Sequence, residues 1–188
     1  MNEQIEIEYK ILLTKEIYNQ ILKDYKDKII KDYIQTNHYL IHPLLQQKRY
    51  MLRIREKNNQ FELTLKRPAN NHRLETNINI DKETVNKILN HEYVSNKIMD
   101  ILIKEGINPL ELKNQFSLTT HRCDIKLEYG ILSLDENTYL DITDYELEYE
   151  VNNEKEGFLQ FLEIIKPYQL TYFGNCASKI KRVLNHLG

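Results

Sequence analysis

Glu6, Glu8 and Lys10 alternate with apolar residues in the run Glu6-Ile7-Glu8-Tyr9-Lys10 near the start of the chain. Successive side chains of a strand point to opposite sides, so a strand over Ile5 to Leu13 gathers both carboxylates and the ammonium on one face. Ile5, Ile7, Tyr9 and Ile11 then cover the other face. Charges set this closely have the groups to hold a hard cation and an anion together. Taken alone, the segment fits equally well an exposed sheet face laced with cross-strand ion pairs.

Further alternating segments supply companions. A helix over Lys15 to Asp27 precedes a strand from Lys31 to Ile41, and Lys48 to Lys57 sets Arg53 and Arg55 on one face. Asn58-Asn59 reads as a hairpin turn because Asn tolerates positive φ. The return strand, Gln60 to Arg67, places Glu62, Thr64 and Lys66 opposite Phe61, Leu63 and Leu65. A loop over Pro68 to His72 leads into Arg73 to Ile80, where Arg73 and Glu75 alternate with apolar residues. Asp81 caps a helix, and Ser95 to Glu105 forms another. Alternation resumes over Gln115 to Glu128, with Arg122, Asp124 and Lys126 opposite Cys123, Ile125 and Leu127. After a turn at Gly130, a hairpin of Ile131 to Asn137 and Tyr139 to Val151 carries Asp135 on one strand and Asp144, Glu146, Glu148 and Glu150 on the other. Helices near Lys155 to Ile165 and Cys176 to Leu187 follow.

The helices need apolar surface for their stripes, and the apolar strand faces can provide it. That choice turns the charged faces inward. The expected fold is α+β: a closed antiparallel barrel of about eight strands with a charged interior, helices packed outside and a C-terminal helix. A single domain over residues 1–188 is expected. Its tunnel would be lined by Lys10, Arg53, Arg55, Lys66, Arg122 and Lys126 among Glu6, Glu8, Glu62, Asp135, Glu146 and Glu148. Buried charge of this density is costly unless paired or occupied, and a multiply charged anion with a divalent metal fits it.

Composition excludes other classes. The 26 basic and 28 acidic side chains nearly cancel to a net charge of -2, so stable nucleic-acid binding is not expected. Cys123 and Cys176 lie far apart without a His or Cys partner at zinc-ligand spacing, and read as idle thiols in a reducing compartment. The six histidines form no ligand-spaced cluster and read as packing or surface residues. No apolar run approaches the ~20 residues that cross a bilayer, and the N-terminus lacks a signal core, so a cytoplasmic protein without a membrane partner is expected.

The ordered set of motifs resembles the CYTH superfamily, the triphosphate tunnel metalloenzymes, which includes thiamine triphosphatases, inorganic triphosphatases and one class of adenylate cyclase. Glu6-Ile7-Glu8-Tyr9-Lys10 is similar to the family's ExExK signature, Leu52-Arg53-Ile54-Arg55 to its paired-arginine strand and Leu63-Thr64-Leu65-Lys66 to its following lysine strand. Arg122 is similar to its later tunnel arginine, and Leu132-Ser133-Leu134-Asp135 and Tyr145-Glu146-Leu147-Glu148 to its acidic strands. Ser178-Lys179-Ile180-Lys181-Arg182 resembles its C-terminal helix with a phosphate-facing lysine. Tyr39-Leu40-Ile41 departs from the Tyr-Phe-Asp run of many bacterial relatives, so no Asp role carries over there.

The resemblance implies a Mg²⁺- or Mn²⁺-dependent triphosphatase acting on inorganic triphosphate or a small organic triphosphate such as thiamine triphosphate. It implies metal ligation by Glu6, Glu8, Asp135, Glu146 and Glu148, phosphate binding by Lys10, Arg53, Arg55, Lys66, Arg122 and Lys179, and catalysis by Lys10, Asp135 and Glu148. A cyclase of the same class and a non-catalytic sensor of nucleotide or polyphosphate use the same groups. Oligomeric state has no signal in the sequence.

Overall fold

The computed structural model describes residues 2–70 and 72–187. Its elements run β1 (Asn2–Glu6), β2 (Glu8–Leu13), α1 (Lys15–Asp24), β3 (Ile29–Ile41), α2 (Pro43–Gln47), β4 (Met51–Lys57), β5 (Gln60–Ala69), β6 (His72–Ile80), α3 (Lys82–Leu89), α4 (Lys97–Lys104), β7 (Lys113–Leu127), β8 (Gly130–Tyr139), β9 (Ile142–Val151), α5 (Glu154–Ile165) and α6 (Lys179–Leu187). The nine strands hydrogen-bond in the order β1-β6-β5-β4-β3-β7-β8-β9-β2. β1 and β2, the two ends of that order, are separated in the chain only by Ile7.

That arrangement corrects the reading of Ile5 to Leu13 as one strand. Alternation continues through Ile7, but β1 pairs with β6 and β2 pairs with β9, so the ladder changes partner at that residue. The extra strand raises the count from about eight to nine. Ile5 is also not part of an apolar cover, being 64% exposed at the sheet's end.

The chain divides into two compact units, one of Met1–Glu6 and Gln35–Leu118, the other of Ile7–Ile34 and Thr119–Gly188. Each has its own core. In the first, Leu52, Ile54, Leu63 and Leu65 meet Val85 and Ile88 of α3 and Ile98, Met99 and Leu102 of α4. In the second, Ile11, Ile125, Leu132, Leu134, Leu147 and Tyr149 meet Tyr18 and Ile21 of α1 and Phe161 of α5. The apolar strand faces take the helices in both units, which leaves the alternate, charged positions on the other face.

Local signals set most boundaries. Asn58 and Asn59 adopt φ of 51° and 59° between the paired residues Lys57 and Gln60, as a two-residue hairpin turn requires. Asp81 caps α3 by accepting from the Thr84 N–H at 2.7 Å, and Asn96 caps α4. The β8–β9 turn falls at Leu140-Asp141 and not near Thr138, with Leu140 at φ 51°. Gly130 is the first residue of β8 and not a turn. A Cβ there would lie 1.9 Å from the Glu150 carbonyl oxygen, so close approach of β9 demands glycine. α2 is capped by His42, with Pro43 opening it. The loop expected over Pro68 to His72 narrows, since β5 runs to Ala69 and β6 starts at His72; Asn71 lies outside the described residues. Among the described residues no helix is long and apolar enough to cross a membrane.

Candidate active site

In the second unit, strand register assembles the acidic residues in two cross-strand rows. Arg122 pairs with Asp135 and Asp135 with Glu146, while Asp124 pairs with Ser133, Ser133 with Glu148 and Glu148 with Lys10. The rows are two residues apart on the same strands and therefore share a face. Asp135, Glu146 and Glu148 accordingly present carboxylate oxygens that lie within 4.8 Å of one another.

Basic groups surround this triad. Arg122 grips Asp135 with Nε and an Nη, both at 2.6 Å, in the bidentate geometry of a guanidinium on a carboxylate, and donates to Glu148 as well. Lys179 Nζ contacts Asp135, Glu146 and Glu148 at 2.7, 2.7 and 2.8 Å. Lys10 donates to Glu8. The chain before α6 is tied to β2: Asn175 accepts from the Lys10 N–H at 2.8 Å and donates to the Glu8 carbonyl at 2.9 Å. Those bonds bring Lys179 over the triad.

Burial and charge push these groups in opposite directions. Burial is the largest influence on Glu146 and raises its carboxyl to about 7. Burial raises Glu148 too, but Lys179 and Arg122 outweigh it and hold that carboxyl well below the ordinary value. Burial would lower Lys179 and Lys10; the surrounding carboxylates win, and both ammonium groups are held above their usual value. The triad thus combines one readily protonated carboxyl with one firmly ionised carboxylate.

The donor set fits a hard divalent cation. It offers oxygen ligands only, and Lys179 already places a cation at hydrogen-bond distance from all three carboxylates. Glu6 and Glu8 are not part of this group of three: Glu8 holds Lys10, and Glu6 holds Lys66 in the first unit.

The first unit carries a second charged face. Register places Arg53 opposite Thr64, Arg55 opposite Glu62 and Lys66 opposite Glu75. Lys66 bridges Glu6 and Glu75, the latter at 2.7 Å. Burial would raise Glu75, but Lys66 and Arg53 bring its carboxyl down to about 2. Arg55 Nε donates to Asn37 Oδ1 at 3.2 Å. Arg53 is 7% exposed and its Nε has no hydrogen-bond partner. A buried guanidinium N–H without an acceptor is an opening for an oxyanion.

One residue of these clusters, Arg182, was given no role by the sequence reading. Arg182, three positions after Lys179 and on the same helix face, donates from Nε to Asp144 at 2.8 Å and also bonds Glu146. Glu75, which alternates with apolar residues on β6, is buried against Lys66. Conversely, Lys126 is exposed, because its pairing with Ile131 lies toward the hairpin end, and Asp124 is buried, accepting from Ser133 at 2.7 Å.

The sequence model of the CYTH domain family matches residues 4–174. The chain belongs to the CYTH family. Among CYTH-type relatives, YjbK of Bacillus subtilis (strain 168), named as a candidate triphosphatase, is 32% identical over 179 residues and covers 90% of each chain. A solved structure from Bacillus halodurans, named as a candidate adenylate cyclase, is 34% identical with a TM-score of 0.88, over 97% of this chain and 98% of that one. HpAC1 from Hippeastrum, a candidate adenylyl cyclase described as having a dominant triphosphatase activity, shares the fold at 23% identity and a TM-score of 0.74, over 94% and 93% of the two chains. These likenesses bear out the α+β antiparallel-barrel class expected for a CYTH protein, with nine strands.

Proposed function

We propose that this protein hydrolyses the terminal phosphoanhydride of a small triphosphate, inorganic triphosphate or an organic one such as thiamine triphosphate, with Mg²⁺ or Mn²⁺. The observation that carries the reading is the all-oxygen triad of Asp135, Glu146 and Glu148 flanked by Arg122, Lys10 and Lys179. The names of YjbK and the described activity of HpAC1 point the same way.

In this proposal Asp135, Glu146 and Glu148 would hold the metal in the second unit, where Glu8 adds a further carboxylate beside Lys10, while Glu6 pairs with Lys66 on the charged face of the first unit. When bound, the divalent ion neutralises phosphate oxygens and lowers the cost of forming a hydroxide-like nucleophile. The phosphate-binding residues proposed for the first unit are Arg53, Arg55 and Lys66, and those proposed for the second unit are Lys10, Arg122 and Lys179. Asp135 and Glu148 orient the attacking water, Glu148 as a firmly ionised hydrogen-bond acceptor. Lys10, held protonated, stabilises charge on the leaving diphosphate. Two cysteines without a disulfide accord with a cytoplasmic setting.

The test is phosphate release with Mg²⁺ or Mn²⁺ from inorganic triphosphate, thiamine triphosphate, ATP and pyrophosphate. Metal-dependent release of one phosphate per triphosphate is expected; turnover of pyrophosphate alone would end the proposal. The name of the Bacillus halodurans structure favours one second reading, cyclisation of ATP, which the same panel distinguishes by cyclic nucleotide and pyrophosphate as products.

Arg53 gives a sharper check. Its unpartnered Nε should gain an acceptor from the triphosphate, and a charge-assisted bond of this kind contributes about 1.5–3 kcal/mol. Arg53→Met should therefore raise KM for triphosphate roughly 10- to 100-fold. An unchanged KM in a steady-state titration would remove Arg53 from the phosphate-binding set.

A further inference from the structure

The face of β7 opposite Arg122 and Asp124 carries a different set of donors. His121 and Cys123 are two residues apart on that strand and share this other face, and Asp32 of β3 joins them. An Asp32 carboxylate oxygen, a His121 ring nitrogen and Cys123 Sγ lie within 4.8 Å of one another. Asp32 Oδ1 is 2.6 Å from His121 Nε2.

We propose that Asp32, His121 and Cys123 form a zinc site, chemically distinct from the acidic triad. One sulfur, one imidazole nitrogen and one carboxylate oxygen suit Zn²⁺, whereas Mg²⁺ and Ca²⁺ prefer oxygen alone. Zinc bonds of about 2.0–2.3 Å put tetrahedral ligand atoms roughly 3.3–3.8 Å apart. The present separations, 2.6 Å between oxygen and nitrogen and none above 4.8 Å, bracket that range. Asp32 and His121 have the freedom to make them, with side chains 60% and 40% exposed, while Cys123 is fixed in the core at 1%. Their exposure also leaves the fourth position to water.

Tyr18 supplies an independent indication. It is 2% exposed and its hydroxyl has no hydrogen-bond partner, a costly condition for a buried O–H. Tyr18 and Cys123 belong to the same buried core. A protonated thiol is a poor acceptor and a zinc-bound thiolate a good one, so metal loading would place a stronger acceptor in the core that holds the unpartnered Tyr18 hydroxyl. The three ligands escaped sequence reading because His-X-Cys shares a face only in a strand, and Asp32 is 89 positions from His121.

The full-length protein should be titrated with Zn²⁺ alone, and with Co²⁺ as a spectroscopic replacement that reports sulfur ligation through a thiolate-to-cobalt charge-transfer band. Cys176 also lies near a carboxylate, 3.7 Å from Glu146, so Cys176→Ser is the control. The band is expected in the native protein and in Cys176→Ser and is expected to vanish in Cys123→Ser. Asp32→Asn and His121→Gln should each weaken Zn²⁺ binding by roughly tenfold or more. No band in the native protein, or a band that survives Cys123→Ser, overturns the proposal. If Cys123→Ser fails to fold, exposed Asp32 decides: Asp32→Asn with an undiminished thiolate-to-cobalt band overturns it equally.

Discussion

Glu148→Gln is expected to reduce metal-dependent phosphate release from triphosphate at least ~100-fold, since a catalytic divalent ion supplies several kcal/mol of transition-state stabilisation and each 1.36 kcal/mol is tenfold in rate. The substitution preserves shape and deletes one charge, so loss of fold is not its main consequence. Glu148 touches both Arg122 and Lys179, which hold it ionised well below the ordinary carboxylate value. A turnover number within twofold of the native value, at saturating metal, would remove Glu148 from the chemistry. Its neighbour adds a pH signature. Glu146 titrates near 7 because of burial, so below that pH a bound metal must displace its proton. Apparent metal affinity should then fall by up to about tenfold per pH unit on acidification below about 7, and Glu146→Gln should flatten that slope. A native affinity that is flat across this range by calorimetry contradicts the assignment.

Lys179→Met is expected to destabilise the metal-free protein by about 3–5 kcal/mol, the typical cost of leaving buried charge uncompensated. The Lys179 ammonium contacts all three triad carboxylates, and methionine fills its volume without its charge. The sign of the pH dependence follows from linkage. Lys179 is raised in the folded state, so its stabilisation is fully present below the ordinary lysine value and is lost only as pH rises through the folded value. Glu146 is raised as well, so its contribution is present below the ordinary carboxylate value and is lost as pH rises through about 7. Without Lys179 the carboxylates lose their counter-charge, and stability of the variant should fall steeply with rising pH. Mg²⁺ or Mn²⁺ should restore much of it by replacing the missing cation. Thermal melts across pH, with and without metal, test this; a variant with native stability and no response to metal would show that Lys179 does not neutralise the triad.

The difference between these residues and the motifs that announced the site is one of range. Arg53 and Arg55, and Glu146 and Glu148, are each two residues apart, and the pleat of a strand places such pairs on one face whatever the rest of the chain does. Their shared faces were therefore legible, as were the Asn58-Asn59 turn and the Asp81 cap, which depend on local backbone preference. Ile7 marks the limit of that logic. Nothing in the alternation of Glu6-Ile7-Glu8 shows that the chain leaves β6 and joins β9 there, because ladder partners are distant in sequence. The same limit hid Lys66 between Glu6 and Glu75 and the grip of Arg182 on Asp144 and Glu146.

The sequence by itself determined the donors: which charges alternate with apolar residues, which faces they share, and a family membership written in the order of those short motifs. Tertiary structure alone decided the grouping. It set Asp135, Glu146 and Glu148 around Lys179, left Arg53 Nε without a partner, and joined Asp32 to His121 and Cys123. The physical reason is that strand periodicity repeats every two residues and is encoded locally, whereas strand register and the path of the chain into α6 are fixed by contacts between segments far apart in sequence.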